Sequence, residues 1–288
     1  MPDLRAPAGA ARPLLLCADD YGLTAGIDAA IAELVRAGRL NAFSCMSNAP
    51  AWARDGCEVA GLRGQAQAGL HFNLTEGRPL SASLARCWPR LPSLPRLLVA
   101  AHTGRLPLGA IADELAAQWQ VFVAVSGAAP DFIDGHQHVH HLPGVRRVLL
   151  DWLQRQPAAT PVRSTARLAG PGPGFKRWVI EHSGGRALGR GLRRQTRPHA
   201  LPHNRLLLGA YDFQDGDYRA LMQAWLAQVP PSGALLFCHP GRASDGAARD
   251  EAPDPIAAAR QRELAYLAGQ DFPRDLAAAG VMLAPVWG

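Results

Sequence analysis

Short unbroken apolar runs alternate along this chain with longer segments whose apolar residues recur every three or four positions. The first run, Leu14-Leu15-Leu16-Cys17-Ala18, is continuous rather than alternating, which predicts a strand buried on both faces. After it Ile27, Ile31, Leu34 and Val35 fall at helical spacing, with Thr24 placed as an N-cap and Gly38 as a stop. The rhythm then repeats. Strands are predicted over 42–47 and 68–74, a helix over 110–125, a short strand over 131–134 and a helix over 145–153. A strand over 234–238, a helix over 256–268 and a last strand over 281–284 complete the pattern. Repeated βα units predict an α/β fold with a mainly parallel sheet, open or closed into a barrel.

Two stretches interrupt the rhythm, 78–109 and 168–205. Both read as long insertions on one scaffold rather than linkers, so a single domain over 1–288 is expected, with the insertions above the sheet. At 288 residues and 48% hydrophobic the chain can bury a sizeable core. The formal charge of +6 would suggest a nucleic-acid or membrane partner, but Lys176 is the only lysine beside abundant Arg and Ala, a compositional drift rather than a signal. Position says more: residues 155–205 hold 11 Lys/Arg against one acid, Glu181, while the remainder holds 19 basic and 23 acidic residues. Five scattered cysteines without a paired motif argue against a disulfide or thiolate-metal scaffold. The apolar stretch before Asp19 is too short for a signal segment, and no run approaches the ~20 apolar residues of a membrane span. The expectation is a soluble cytoplasmic protein.

The informative polar residues lie where predicted strands end: Asp19 and Asp20, His71, Asp134, the run His136-Gln137-His138-Val139-His140-His141, and His239. In parallel α/β folds ligands bind beyond those carboxyl ends. Adjacent carboxylates repel unless a cation neutralises them, and four histidines within six residues are costly near a core without a use. One carboxylate and two imidazoles from different strand ends suit zinc or another borderline divalent ion with open coordination. Each has a plainer reading: Asp20 as a turn cap, His71 as a satisfied core histidine, the His run as a surface loop. Cys238 and His239 point to opposite faces of a strand and make a poor nucleophile–base pair; His239 fits better as a proton donor.

At these positions the chain resembles the YdjC-like carbohydrate deacetylases, which include chitooligosaccharide deacetylase and hopanoid-biosynthesis-associated deacetylases. The resemblance rests on Ala18-Asp19-Asp20-Tyr21-Gly22-Leu23, on 69–77 (Gly-Leu-His-Phe-Asn-Leu-Thr-Glu-Gly), on 134–140 (Asp-Gly-His-Gln-His-Val-His) and on Cys238-His239-Pro240. It implies a deformed (β/α) TIM-like barrel that removes N-acetyl groups from amino sugars with one divalent ion, zinc or magnesium. By position Asp20, His71 and His136 would be the metal ligands, Asp19 the general base and His239 the general acid. Arg163 would hold the substrate or Asp19, and His138, His140 and Asn73 would line the substrate site. The family often has a further His where Gln137 stands, a difference expected to tune the pocket; the resemblance also makes a homodimer plausible.

Other classes stay open on sequence alone. Similar ligands serve barrel hydrolases acting on phosphoesters or other amides, and a basic nucleic-acid or lipid-binding protein would leave the His run structural. For the Arg-rich insertion, one reading is a solvated helix face with Trp178 and Ile180 packed beneath. The other is an amphipathic flap over 170–200, built on Phe175, Trp178 and Val179, that meets a membrane carrying a glycolipid substrate.

Overall fold

A computed structural model describes residues 11–194, 200–214, 216–242 and 254–288. Seven parallel strands form its sheet: β1 (Arg12–Tyr21), β2 (Ala42–Cys45), β3 (Gln67–Phe72), β4 (Ile133–Gly135), β5 (Leu207–Leu208), β6 (Ala234–Cys238) and β7 (Val281–Leu283). The spatial order is β4-β3-β2-β1-β6-β5, with β7 paired to the start of β1. Single parallel bridges carry the sheet round from β4 to Val162 and from Val162 to His203, just ahead of β5, so it curls into a deformed barrel. Leu14–Ala18 are fully buried because β1 is central and covered on both faces.

Local chemistry explains the connections. Thr24 caps the helix Ala25–Arg36, its hydroxyl accepting the Ile27 N–H at 3.3 Å, and Gly38 follows the helix at φ 66°. In β3 Gly69 is dictated by contact: a Cβ there would lie 2.4 Å from the Phe132 ring. The 78–109 insertion contains the helices Ala82–Cys87 and Leu94–His102; the 168–205 insertion contains Gly174–Ile180 and Arg186–Arg194.

Sequence and structure differ in informative places. β1 runs on through Asp19 and Asp20 instead of ending at Ala18, and its register against β2 shifts between Ala18 and Tyr21. That irregularity puts Asp20 at φ 75°, a left-handed conformation that Asp tolerates better than most residues, and turns its side chain out of the strand's alternation. β2 and β3 stop two residues earlier than expected, at Cys45 and Phe72. Trp178 does not pack beneath its helix; it is 55% exposed beside Phe175 at 75%, whereas Ile180 is partly buried against the cluster that includes Leu15, Leu168 and Leu207. Residues 195–199 of the basic segment lie outside the described residues. Among the described residues no helix is long and apolar enough to cross a membrane, and all five cysteines are free.

Candidate metal centre

Strand register brings the chemistry together. β3 and β4 pair His71 with Asp134, β4 meets the Arg163 segment through Ile133 and Val162, and β1 and β6 pair Ala18 with Cys238. Asp134 and Arg163 therefore sit beside His71, and Asp19 is level with His239.

Asp20, His71 and His136 are all buried, and their donor atoms lie within 4.8 Å of one another. His71 gives Nδ1 to Asp134 Oδ1 at 2.6 Å and turns Nε2 toward Asp20 Oδ1 at 3.4 Å. His136 turns Nδ1 to the same Asp20 oxygen at 3.0 Å and gives Nε2 to Glu76 Oε1 at 3.0 Å. Each ring thus has an outer carboxylate that takes its one neutral-state N–H. The inner nitrogens then face a carboxylate oxygen lone pair to lone pair, which only a proton or a cation between them can stabilise. The titration behaviour expresses the same demand. Burial lowers the basicity of both rings, yet Asp134 and Asp19 raise His71 to about 10, and Asp20 raises His136 to about 9. The donor set fits a divalent cation.

Asp19 is held separately. Arg163 reaches it with two bonds, at 2.7 Å and 2.6 Å, and also contacts Asp134 at 2.6 Å. Ser44 donates to Asp19 at 3.1 Å. Burial raises the Asp19 pKa, but the Arg163 guanidinium, together with His71 and His239, outweighs it and leaves the carboxyl at about 2. Asp20 is likewise well below its ordinary range, because Arg260 at 2.7 Å and His136 offset its burial.

His239 follows β6 with its ring edge-on to Phe213 and Phe237, at 5.3 and 5.6 Å. Burial keeps it neutral, with a pKa near 4 (lowered to about 4), and its Nδ1 has no hydrogen-bond partner. Cys238 is buried, donates to the Cys17 carbonyl at 3.5 Å and has its thiol pKa pushed up by burial, so it offers no thiolate.

The four residues expected at the substrate fall in different places. Arg163 is fully buried on Asp19, the second of its two anticipated partners. His140 is also fully buried; its Nε2 donates to the Arg163 carbonyl at 2.9 Å and so anchors that segment. Asn73 shapes the loop that presents Glu76, accepting the N–H groups of Thr75 and Glu76 at 3.0 and 3.1 Å; at 1% exposure it too is a loop anchor. His138 alone is partly exposed. It stands at φ 61° with its Nδ1 unpartnered and its ring edge-on to Phe237 at 5.3 Å. Gln137 beside it is exposed at φ 51°.

Sequence reasoning passed over Glu76, Ser44, Arg260 and Glu263. The last two carried a readable signal: 260, 263 and 267 share one helix face by spacing, and that face is buried. Charged residues on a buried stripe are rarely accidental.

A buried carboxylate and two imidazoles with outward carboxylates, beside an arginine-held aspartate, define a three-donor centre of the kind divalent metal hydrolases use. The comparisons agree with the fold. The chain matches the YdjC-like protein family over residues 13–278 and belongs to that family. A carbohydrate deacetylase of Mus musculus is 31% identical across 95% of this chain and 93% of its own length. A chitooligosaccharide deacetylase of Yersinia enterocolitica is 37% identical over 46% of this chain, and the matched part spans about half (52%) of that relative. A crystal structure of an Enterococcus faecalis V583 protein named for cellobiose-phosphate cleavage superposes with a TM-score of 0.70 at 19% identity, covering 96% of this chain and 98% of that one, which speaks to fold alone.

Proposed function

We propose that this protein is a metal-dependent carbohydrate N-deacetylase acting on an N-acetylglucosamine-containing oligosaccharide or glycolipid. The observation that carries the reading is the coexistence, in a YdjC-like chain, of the Asp20–His71–His136 donor set with a separately held Asp19 and His239 level with it. One domain over 1–288 bears it. Asp20, His71 and His136 would hold one divalent ion, zinc or magnesium, which supplies Lewis-acid polarisation of the acetyl oxygen and acidifies water.

The chain's own groups do the rest. Asp19, ionised at all ordinary pH values and aimed by Arg163 and Ser44, takes a proton from the attacking water. Asp134 and Glu76 fix the ring orientations of His71 and His136. His239 starts neutral; Asp19 and Asp20 already pull its pKa upward against burial, and negative charge developing on the acyl oxygen pulls the same way. It takes up the proton that Asp19 removed from water and, as the imidazolium, gives it to the departing amine nitrogen, so Asp19 ends ionised and His239 neutral, as both began. His138, partly exposed at φ 61° with a buried, unpartnered Nδ1, is a candidate contact for the sugar.

The test is acetate release from N-acetylated oligosaccharides, with phosphoester substrates alongside. Asp20→Ala should lose both metal and turnover, and Asp19→Asn should keep metal and lose turnover. Phosphoester cleavage without acetate release would overturn the reading. A lipid-linked substrate finds support in the exposed, stacked Phe175 and Trp178, 6.1 Å apart within the basic insertion.

A further inference from the structure

The helix Ala257–Ala268 sends two charged side chains into the barrel from one face, Arg260 at 4% exposure and Glu263 at 0%. Arg260 holds Asp20 Oδ2 at 2.7 Å and Asp254 at 2.7 Å. Glu263 spends both oxygens: Oε1 accepts the Tyr211 hydroxyl at 2.5 Å, and Oε2 accepts the main-chain N–H of His239. Burying a carboxylate is costly, and two charge-assisted bonds are what make this one tolerable.

The Tyr211 bond reaches further than its own oxygen. Tyr211 packs on Phe213 with ring centroids 4.6 Å apart, and its carbonyl accepts the Lys176 ammonium at 2.5 Å. The same ammonium lies 4.2 Å over the Phe213 ring. Phe213 stands at φ 68°, a conformation a bulky residue keeps only when its surroundings over-determine it, and its ring is the edge-on wall against His239. One carboxylate therefore sets both the turn that carries the His239 ring and the wall that ring rests on.

We propose that Ala257–Ala268 is the positioning element of the site and that Glu263 is its working residue for His239, acting through the His239 main-chain N–H and, through Tyr211, on Phe213. Glu263 reaches no reacting atom; it holds the proton donor in place, and Arg260 does the same for the metal-binding Asp20 from one turn earlier. The inference rests on the assignment of His239 as the acid.

The experiment uses the metal-loaded full-length enzyme with Glu263→Gln and Tyr211→Phe, followed by kcat, KM, metal content and backbone amide exchange at His239. Gln retains one acceptor and loses the other. The expected result for E263Q is a kcat lower by about 10- to 100-fold, KM within about threefold, unchanged metal content and faster exchange of the His239 amide. Y211F should lose less kcat and leave that amide protected, and it decides the question if E263Q does not fold. A kcat within about twofold of wild type in either variant, or an E263Q loss that tracks metal content, overturns the proposal. Wild-type acetate release is measured first: its absence refutes the deacetylase reading, and amide exchange then judges the brace by itself, unchanged His239 protection in E263Q refuting it.

Discussion

Replacing Arg163 by Met removes a buried guanidinium from between two buried carboxylates at nearly constant volume. In the wild type it makes two bonds to Asp19 and one ion pair to Asp134, with no exposed surface of its own. With His71 and His239 it outweighs burial and holds the Asp19 carboxyl at about 2 against an ordinary 3.8, a net gap of about 2 kcal/mol at neutral pH. Since Asp134 is stranded as well, the total loss should be about 3–5 kcal/mol, the usual cost of breaking a buried ion pair from one side. The pH dependence has a definite sign. The wild-type Asp19 contribution is fully present above the ordinary carboxylate range and disappears only as pH falls toward 2. In Arg163→Met only His71 and His239 still oppose burial, so the Asp19 pKa rises from about 2 and the variant loses stability relative to the wild type as pH rises through that raised value. The gap between the proteins should therefore be widest near about pH 8 and shrink toward about pH 4. Urea unfolding of both proteins across that range measures it. A gap below about 1 kcal/mol, or one independent of pH, would refute the claim that Arg163 compensates buried carboxylate charge.

Three further outcomes follow from other parts of the molecule. Asp28 is buried, accepts the Gly22 N–H at 2.6 Å and has its pKa raised to about 8 by burial, so it costs stability as pH rises from 3.8 toward 8; Asp28→Asn should match wild type in melting temperature near pH 4 and exceed it near about pH 8. Gly69→Val should lose about 1–3 kcal/mol in urea unfolding, because Phe132 must move to admit the side chain, and equal stability would contradict that packing. Phe175→Ala with Trp178→Ala should leave thermal stability within about 0.5 kcal/mol of wild type and weaken co-sedimentation with anionic vesicles; undiminished binding would remove the membrane-contact reading.

The barrel was legible because its strands are unbroken apolar runs, and the polar residues at their ends had only one place to go. Thr24 and Gly38 were readable for the same kind of reason, since capping is local chemistry. What stayed hidden depends on register or on distance in the chain. The irregularity that throws Asp20 to φ 75° arises between two strands, and neither strand alone predicts it. Arg163 could have faced substrate or Asp19, and only the Ile133–Val162 bridge sets it beside Asp134. His140 looked like its neighbours in the His run, yet the turn buries it fully on the Arg163 carbonyl while His138 stays partly exposed against Phe237. Arg260 and Glu263 lie some 240 residues from Asp19 and Asp20. Their charge on a buried stripe was the available signal, and reading that stripe for polarity as well as hydrophobicity would have found them.

Acetate release from an N-acetylated chitooligosaccharide, measured on metal-stripped protein before and after adding back zinc or magnesium, tests the central claim most directly. The account predicts no release without metal, recovery with one divalent ion per chain in the wild type, and no recovery in Asp20→Ala. Turnover that persists in Asp20→Ala, or in fully stripped wild type, would contradict it.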